Sequence, residues 1–138
     1  MPTITESRAL VRVEQLIRDT AADLRPVPTL ELIPFMATPS RCPDHPAGYD
    51  AELVVTRAYW LNGIDAGHMM AVAQQVRASW ERQGHVLTAT GDLAAGHPDL
   101  AGQTRPDGFV LALVWAEGDR LYLAATSPCV RPDRDRSP

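Results

Sequence analysis

Two cysteines and four histidines are the side chains of this 138-residue chain best suited to metal, redox or nucleophilic chemistry. Cys42 and His45 stand in a C-x-x-H spacing inside the proline-rich stretch TPSRCPDHPAGYD, residues 38–50, and Cys129 lies in AATSPCVRP near the other end. A structural zinc needs four ligands closing a tetrahedron. Cys42, His45, Cys129 and one of His68, His85 or His97 would have to supply them, yet no second pair with ligand spacing accompanies the first. The expectation is therefore no metal. A disulfide asks less, only that two Cα atoms come within about 7 Å. Each cysteine sits among prolines at the border of an apolar run, outside any core stripe. A Cys42–Cys129 bridge is the expectation, with a zinc site and two separate buried thiols as the alternatives.

The remaining candidates are sparser. No histidine pair has the i,i+4 spacing of a helical metal or protease site, and no G-x-S-x-G elbow surrounds any serine. All 13 basic residues are arginine, so no phosphate-loop lysine exists. No catalytic set and no cofactor are expected. In AELVVTRAYWL, Arg57 shares a strand face with Leu53, Val55 and Tyr59, as a partly buried charge in need of a partner or as an arginine that carries its head to solvent. Trp60 falls on the opposite face. Arg57, Tyr59 and Trp60 are the candidate contacts for a ligand or partner, although core packing is the default role for Trp60, Trp80 and Trp115.

The elements that would position these residues can be read from periodicity. Leu10, Val13, Leu16, Ile17, Ala21 and Leu24 recur at helical spacing and predict a helix over residues 5–24, with Thr3 and Glu6 as a capping box and Arg25-Pro26 as the stop. VPTLELIPFM, interrupted by Pro34, suits an edge strand or an extended segment, not a central strand. Residues 51–60 form a central strand, and Asp65 is placed to cap a second helix over 66–83. That helix is striped by Met69, Val72, Ala73, Val76 and Trp80 and ended by Gly84. Further strands are expected over 85–91, 108–116 and 120–127, the last two forming a hairpin turning at Gly118, while AAGHPDLAGQTRPDG before that hairpin is polar enough to be a loop. The predicted fold is α+β. Both helices pack on one face of a mostly antiparallel sheet of four to five strands, a two-layer sandwich. Residues 1–132 make one domain, and 133–138 form a disordered tail without an apolar side chain.

A net charge of −4 argues against non-specific nucleic-acid binding, which needs a surplus of cations to displace counterions. No apolar run reaches the ~20 residues of a membrane span, and MPTITESRAL carries no signal-peptide pattern.

On SRCPD, YWLNGID and DGFVLALVWAEGDRLYLAATSPCV, the chain resembles small uncharacterised actinobacterial envelope domains, many of them lipoprotein-like, over roughly residues 5–132. The resemblance implies export to the cell envelope, by a segment or membrane anchor outside this sequence, and it implies the Cys42–Cys129 bridge. A cytoplasmic location is the alternative. The expected function is a non-catalytic extracytoplasmic domain that binds a protein or small ligand. An immunity or inhibitor protein that neutralises a toxin or enzyme is the second reading. An enzyme assembled from distant residues such as Glu52, Arg57 and a histidine is the third.

Overall fold

A computed structural model describes residues 4–37, 40–42, 52–89, 99–116, 118 and 120–132. The first helix, α1 (Glu6–Ala22), is capped by Thr5, whose hydroxyl accepts the Arg8 amide at 3.4 Å. The capping box expected at Thr3 and Glu6 is thus displaced, with Glu6 already inside the helix and Thr3 outside the described residues. Helical spacing puts Ala9, Val13, Leu16, Ile17, Thr20 and Ala21 on one buried stripe. Leu24 is buried just beyond the helix, before Pro26. The second helix, α2 (Met69–Arg82), buries Met69, Val72, Ala73, Val76 and Trp80 as its pattern requires. Gly84 comes after it at φ +84°, a left-handed position that glycine takes without a Cβ penalty. Asp65 does not cap α2. It begins a 3-10 turn, Ala66–His68, in which its carbonyl accepts the His68 amide at 2.8 Å, and its side chain caps nothing.

The described residues contain eight strands, in chain order β1 (Thr29–Leu32), β2 (Ser40–Arg41), β3 (Leu53–Val54), β4 (Thr56–Asn62), β5 (Val86–Ala89), β6 (Leu100–Gln103), β7 (Val110–Ala116) and β8 (Arg120–Thr126). Six of them form one antiparallel sheet in the order β1-β4-β8-β7-β6-β5, and β2 pairs with β3 alone. The sheet therefore has six strands, against the four to five expected. The added strand is β6, within the stretch expected to be a loop. Its pattern is short and carries a glycine, but Leu100 and Gly102 point inward while Ala101 and Gln103 point out. Gly102 stands at a close approach, where a Cβ would lie 3.2 Å from Trp80 Cε3 and 3.3 Å from the Val86 carbonyl oxygen and would press both aside. As expected, β1 is an edge strand, β4 has neighbours on both sides, and Gly118 turns the β7–β8 hairpin at φ +79°.

The expected strand over 51–60 is divided. At Val55 the chain leaves β3 and enters β4. The Val55 amide donates to Ser127 Oγ at 2.9 Å, and its carbonyl accepts the Ser127 amide at 2.8 Å. The segment after β8 binds several parts together: Val130 exchanges backbone bonds with Leu53, and Arg131 exchanges them with Ile4 and Glu6. Cys129, in the same segment, is joined to Cys42, with Cα atoms 5.6 Å apart and a sequence separation of 87. The expected bridge is present.

Inward side chains of both helices, of β4, β6, β7 and β8, and of Phe109 and Val130 form one hydrophobic cluster. Both helices thus serve the same face of the sheet. Segment 133–138, expected to be a disordered tail, lies outside the described residues, as do His45 and His97.

This packing has two measurable consequences. The bridge closes a loop for which chain entropy gives up to about 4–5 kcal/mol. Reduction with the fold otherwise intact should lower Tm by roughly 10–15 °C at this size, measurable by calorimetry with and without reductant. Gly102→Val should cost about 1–3 kcal/mol in a denaturant melt, because the Val86 carbonyl cannot retreat as a flexible side chain would.

Candidate functional site

Alternation along β4, β7 and β8 sends every second side chain away from the helices, and the strand register lines those residues up in rows. Ala58 pairs with Ala124, Ala124 with Ala112, Ala112 with Ala101, and Ala101 with Ala89. An alanine furrow therefore crosses five adjacent strands. One wall is the row Glu31–Trp60–Tyr122–Val114, and the other is Thr56–Thr126–Val110–Gln103–Val86. Among the described residues neither helix touches this face. Val110 is 47% exposed and Val86 41% exposed. At the β4 end the Ile33 amide donates to the Ala58 carbonyl, and both residues are buried.

The aromatic wall is held rigid. Trp60 and Tyr122 meet edge to face, with ring centroids 5.5 Å apart and planes at 88°. The Arg120 guanidinium lies 4.0 Å from the centroid of the Trp60 ring, the arrangement in which a ring quadrupole attracts a cation. Arg120 also donates to Asn62 Oδ1 at 3.1 Å and pairs with Glu31 at 3.6 Å, while Asn62 donates to Glu31 Oε1 at 2.8 Å. Glu31 and Arg120, the charges this row and its neighbour carry within the strands, cancel each other.

Arg57 and Tyr59 lie on the other face, beneath α1. The Tyr59 hydroxyl donates to Glu14 Oε2 at 2.5 Å, and Arg57 and Arg18 reach the same carboxylate at 3.5 and 3.4 Å. Arg57 also donates to the Ala37 carbonyl at 2.9 Å. Burial, and then the neighbouring Glu14, raise the Tyr59 phenol above its ordinary range. This cluster fastens α1 to β4. The structure therefore brings Arg57 and Tyr59 together and separates both from Trp60, which stands in the open-face wall and not in the core. Trp80 is fully buried, its indole N–H donating to Thr20 Oγ1 at 3.0 Å.

A third group joins α1 to the β6–β7 connection. Arg12 Nε donates to Asp107 at 3.1 Å, the Thr104 hydroxyl donates to the other Asp107 oxygen at 2.5 Å, and Thr104 Oγ1 accepts the Phe109 amide at 2.9 Å. Burial alone would raise the Asp107 carboxyl, but the Thr104 hydrogen bond and the Arg12 charge outweigh it and hold the group below its usual value. Burial and the Arg12 charge depress nearby His85, whose buried Nε2 has no hydrogen-bond partner among the described residues. The Glu14 and Asp107 clusters both act as clamps between elements.

Cys42, Glu52 and Cys129 bring metal-type ligand atoms within 4.8 Å of one another. The two sulfurs are bonded to each other, so neither is a thiolate able to ligate. The zinc alternative loses both its sulfur ligands.

Sequence reasoning did not find Tyr122, Arg120, Glu31 or the alanine row. The signal was present in VLALVWA and RLYLAAT, where small or half-polar residues alternate with leucines. Only the pairing register turns those separate alternations into one surface. No family model matches the chain, and neither the curated proteins nor the solved structures contain a significant match.

Asp107 gives a pH outcome. Its depressed value means that its contribution is fully present above about pH 3.8 and is lost as pH falls through the lower folded value. Asp107→Asn should cost about 1 kcal/mol at neutral pH. It should also make the acid limb of a stability-against-pH curve shallower below pH 3.8.

Proposed function

We propose that this chain is a non-catalytic extracytoplasmic interaction domain, stapled by one disulfide, that binds its partner through the open sheet face. The observation that carries this reading is the alanine furrow with its fixed Trp60–Tyr122 wall on the side of the sheet opposite the helices. On this face Val86 and Val110 are exposed and Trp60, Tyr122 and Val114 half-buried, the kind of apolar surface that a partner can cover in use. Aromatic side chains already fixed in place cost little further entropy when a partner docks. The clusters richest in titratable groups instead join elements of the fold to one another, as at Glu14 and Asp107.

The compartment is argued from redox chemistry. Disulfides form and persist in oxidising surroundings and are rare where glutathione and thioredoxin act. The Cys42–Cys129 bond thus supports an extracytoplasmic location, in line with the resemblance to envelope domains on SRCPD and SPCV. Among the described residues no helix is long and apolar enough to cross a membrane.

Two measurements test the reading. A photoreactive residue at Val110, on the furrow wall, should give a defined cross-linked product in source cells. The same residue at Arg77, on the exposed side of α2, should not. Equal labelling from both positions, or none from Val110, would count against the face. Alkylation of intact cells followed by mass measurement should find Cys42 and Cys129 unlabelled without reductant. Two labels would place the chain in a reducing compartment.

A further inference from the structure

The open face is complementary to itself. Along each of β4, β8 and β7 it presents four outward residues: Thr56, Ala58, Trp60 and Asn62; Thr126, Ala124, Tyr122 and Arg120; Val110, Ala112, Val114 and Ala116. Consider a two-fold axis lying parallel to the sheet, across the strands, between the alanine row and the aromatic row. Rotation about it turns a second copy face to face with the first and exchanges the rows. Tyr122 of each copy then stands over Ala124 of the other, and Val114 over Ala112. In the outer rows Val110 meets Ala116, Arg120 meets Thr126, and Asn62 meets Thr56. Each large side chain faces a small one, and each polar side chain faces a polar one. Ala58 is already fully buried, so the contact centres on β8 and β7.

We infer that the open face pairs with the same face of a second copy of this chain, with the aromatic wall of each seated in the alanine furrow of the other. The inference deepens the proposed function, since it rests on the face being a binding surface and names what binds there. Two arguments select a second copy. The first is charge. Each chain carries a net −4, yet within these rows Glu31 and Arg120 already neutralise each other, so two copies meet here without repulsion. A strongly charged partner would find no counter-charge among the described residues of the furrow. The second is shape. Along β8 and β7 the large and small outward side chains alternate so that the face turned about this axis is its own complement. Two sheets packed this way lie about 10 Å apart at an angle near 30°, a spacing that alternating large and small residues fill.

The test uses the full-length oxidised chain in sedimentation equilibrium between about 1 and 100 μM, a range that brackets micromolar affinity. The wild type should have twice the chain mass at the upper end. Ala124→Tyr places two tyrosines against each other and should weaken association at least tenfold. Adding Tyr122→Ala to Ala124→Tyr restores large against small and should recover most of the wild-type affinity. Val110→Arg, at a side chain exposed in the single chain, should also weaken pairing and guards against misfolding of the furrow variants, whose fold is checked by circular dichroism. A monomeric wild type at 100 μM would overturn the inference while leaving the face open to another partner, as judged by cross-linking from Val110. A dimer indifferent to Ala124→Tyr and Val110→Arg would overturn both the inference and the assignment of the face. A double variant no better than Ala124→Tyr would overturn the two-fold arrangement.

Discussion

The sheet depends on its last strand. β8 lies between β4 and β7, so it alone joins the pair β1–β4 to the group β7–β6–β5. Six register pairs hold it to β4 and seven to β7. The N-terminal half of the sheet is therefore incomplete until the C-terminal residues arrive, a long-range pairing that carries a large loop-closure cost. The segment C-terminal to β8 offsets that cost. Ser127 satisfies both backbone groups of Val55, Val130 binds Leu53, Arg131 binds the start of α1, and Cys129 is bonded to Cys42. A strand that closes the sheet is thus fixed at the point where it leaves.

The two helices then determine which face is the interior. α1 lies over β4 and β8, α2 over β5 and β6, and the inward leucines and valines meet in one cluster with Trp80 and Phe109. Polar side chains on this side are paired across elements. Glu14 receives Tyr59, Arg57 and Arg18, Asp107 receives Arg12 and Thr104, and Asp23 receives Ser79 and Arg82. These pairings set helix positions against the strands. The depressed Asp23 carboxyl, due first to the Ser79 hydrogen bond, reflects one such junction between the ends of α1 and α2.

Among the described residues both helices lie on one side, and the outward residues of β4, β7 and β8 pack against neither. Their composition fits the proposed binding role. Alanine keeps the furrow shallow and holds strand backbone near the surface, while Trp60 and Tyr122 supply a rigid wall bordered by Arg120, Asn62 and Glu31, which are already engaged with one another. A fully solvated sheet face would be expected to carry more charge than this one does.

Local periods were readable from the chain alone. The helical stripes of α1 and α2, the edge character of β1, the Gly118 hairpin and the Gly84 stop were all legible, because each depends on near neighbours and on backbone rules that act within a few residues. The Cys42–Cys129 bond was legible as well, since two cysteines at strand borders leave few choices. Long-range packing settled the remainder. β6 was hidden because LAGQ is too short and too small-sided to look like a strand until Trp80 packs on Gly102. Asp65 met a 3-10 turn and not the helix it was placed to cap. That Arg57 and Tyr59 face away from Trp60 follows from the period of two and was legible, but only packing decided that the helices cover the Arg57–Tyr59 side. The alanine furrow exists only in the register, because Ala89, Ala101, Ala112, Ala124 and Ala58 share a row only once β5 to β8 pair in turn and β4 joins β8.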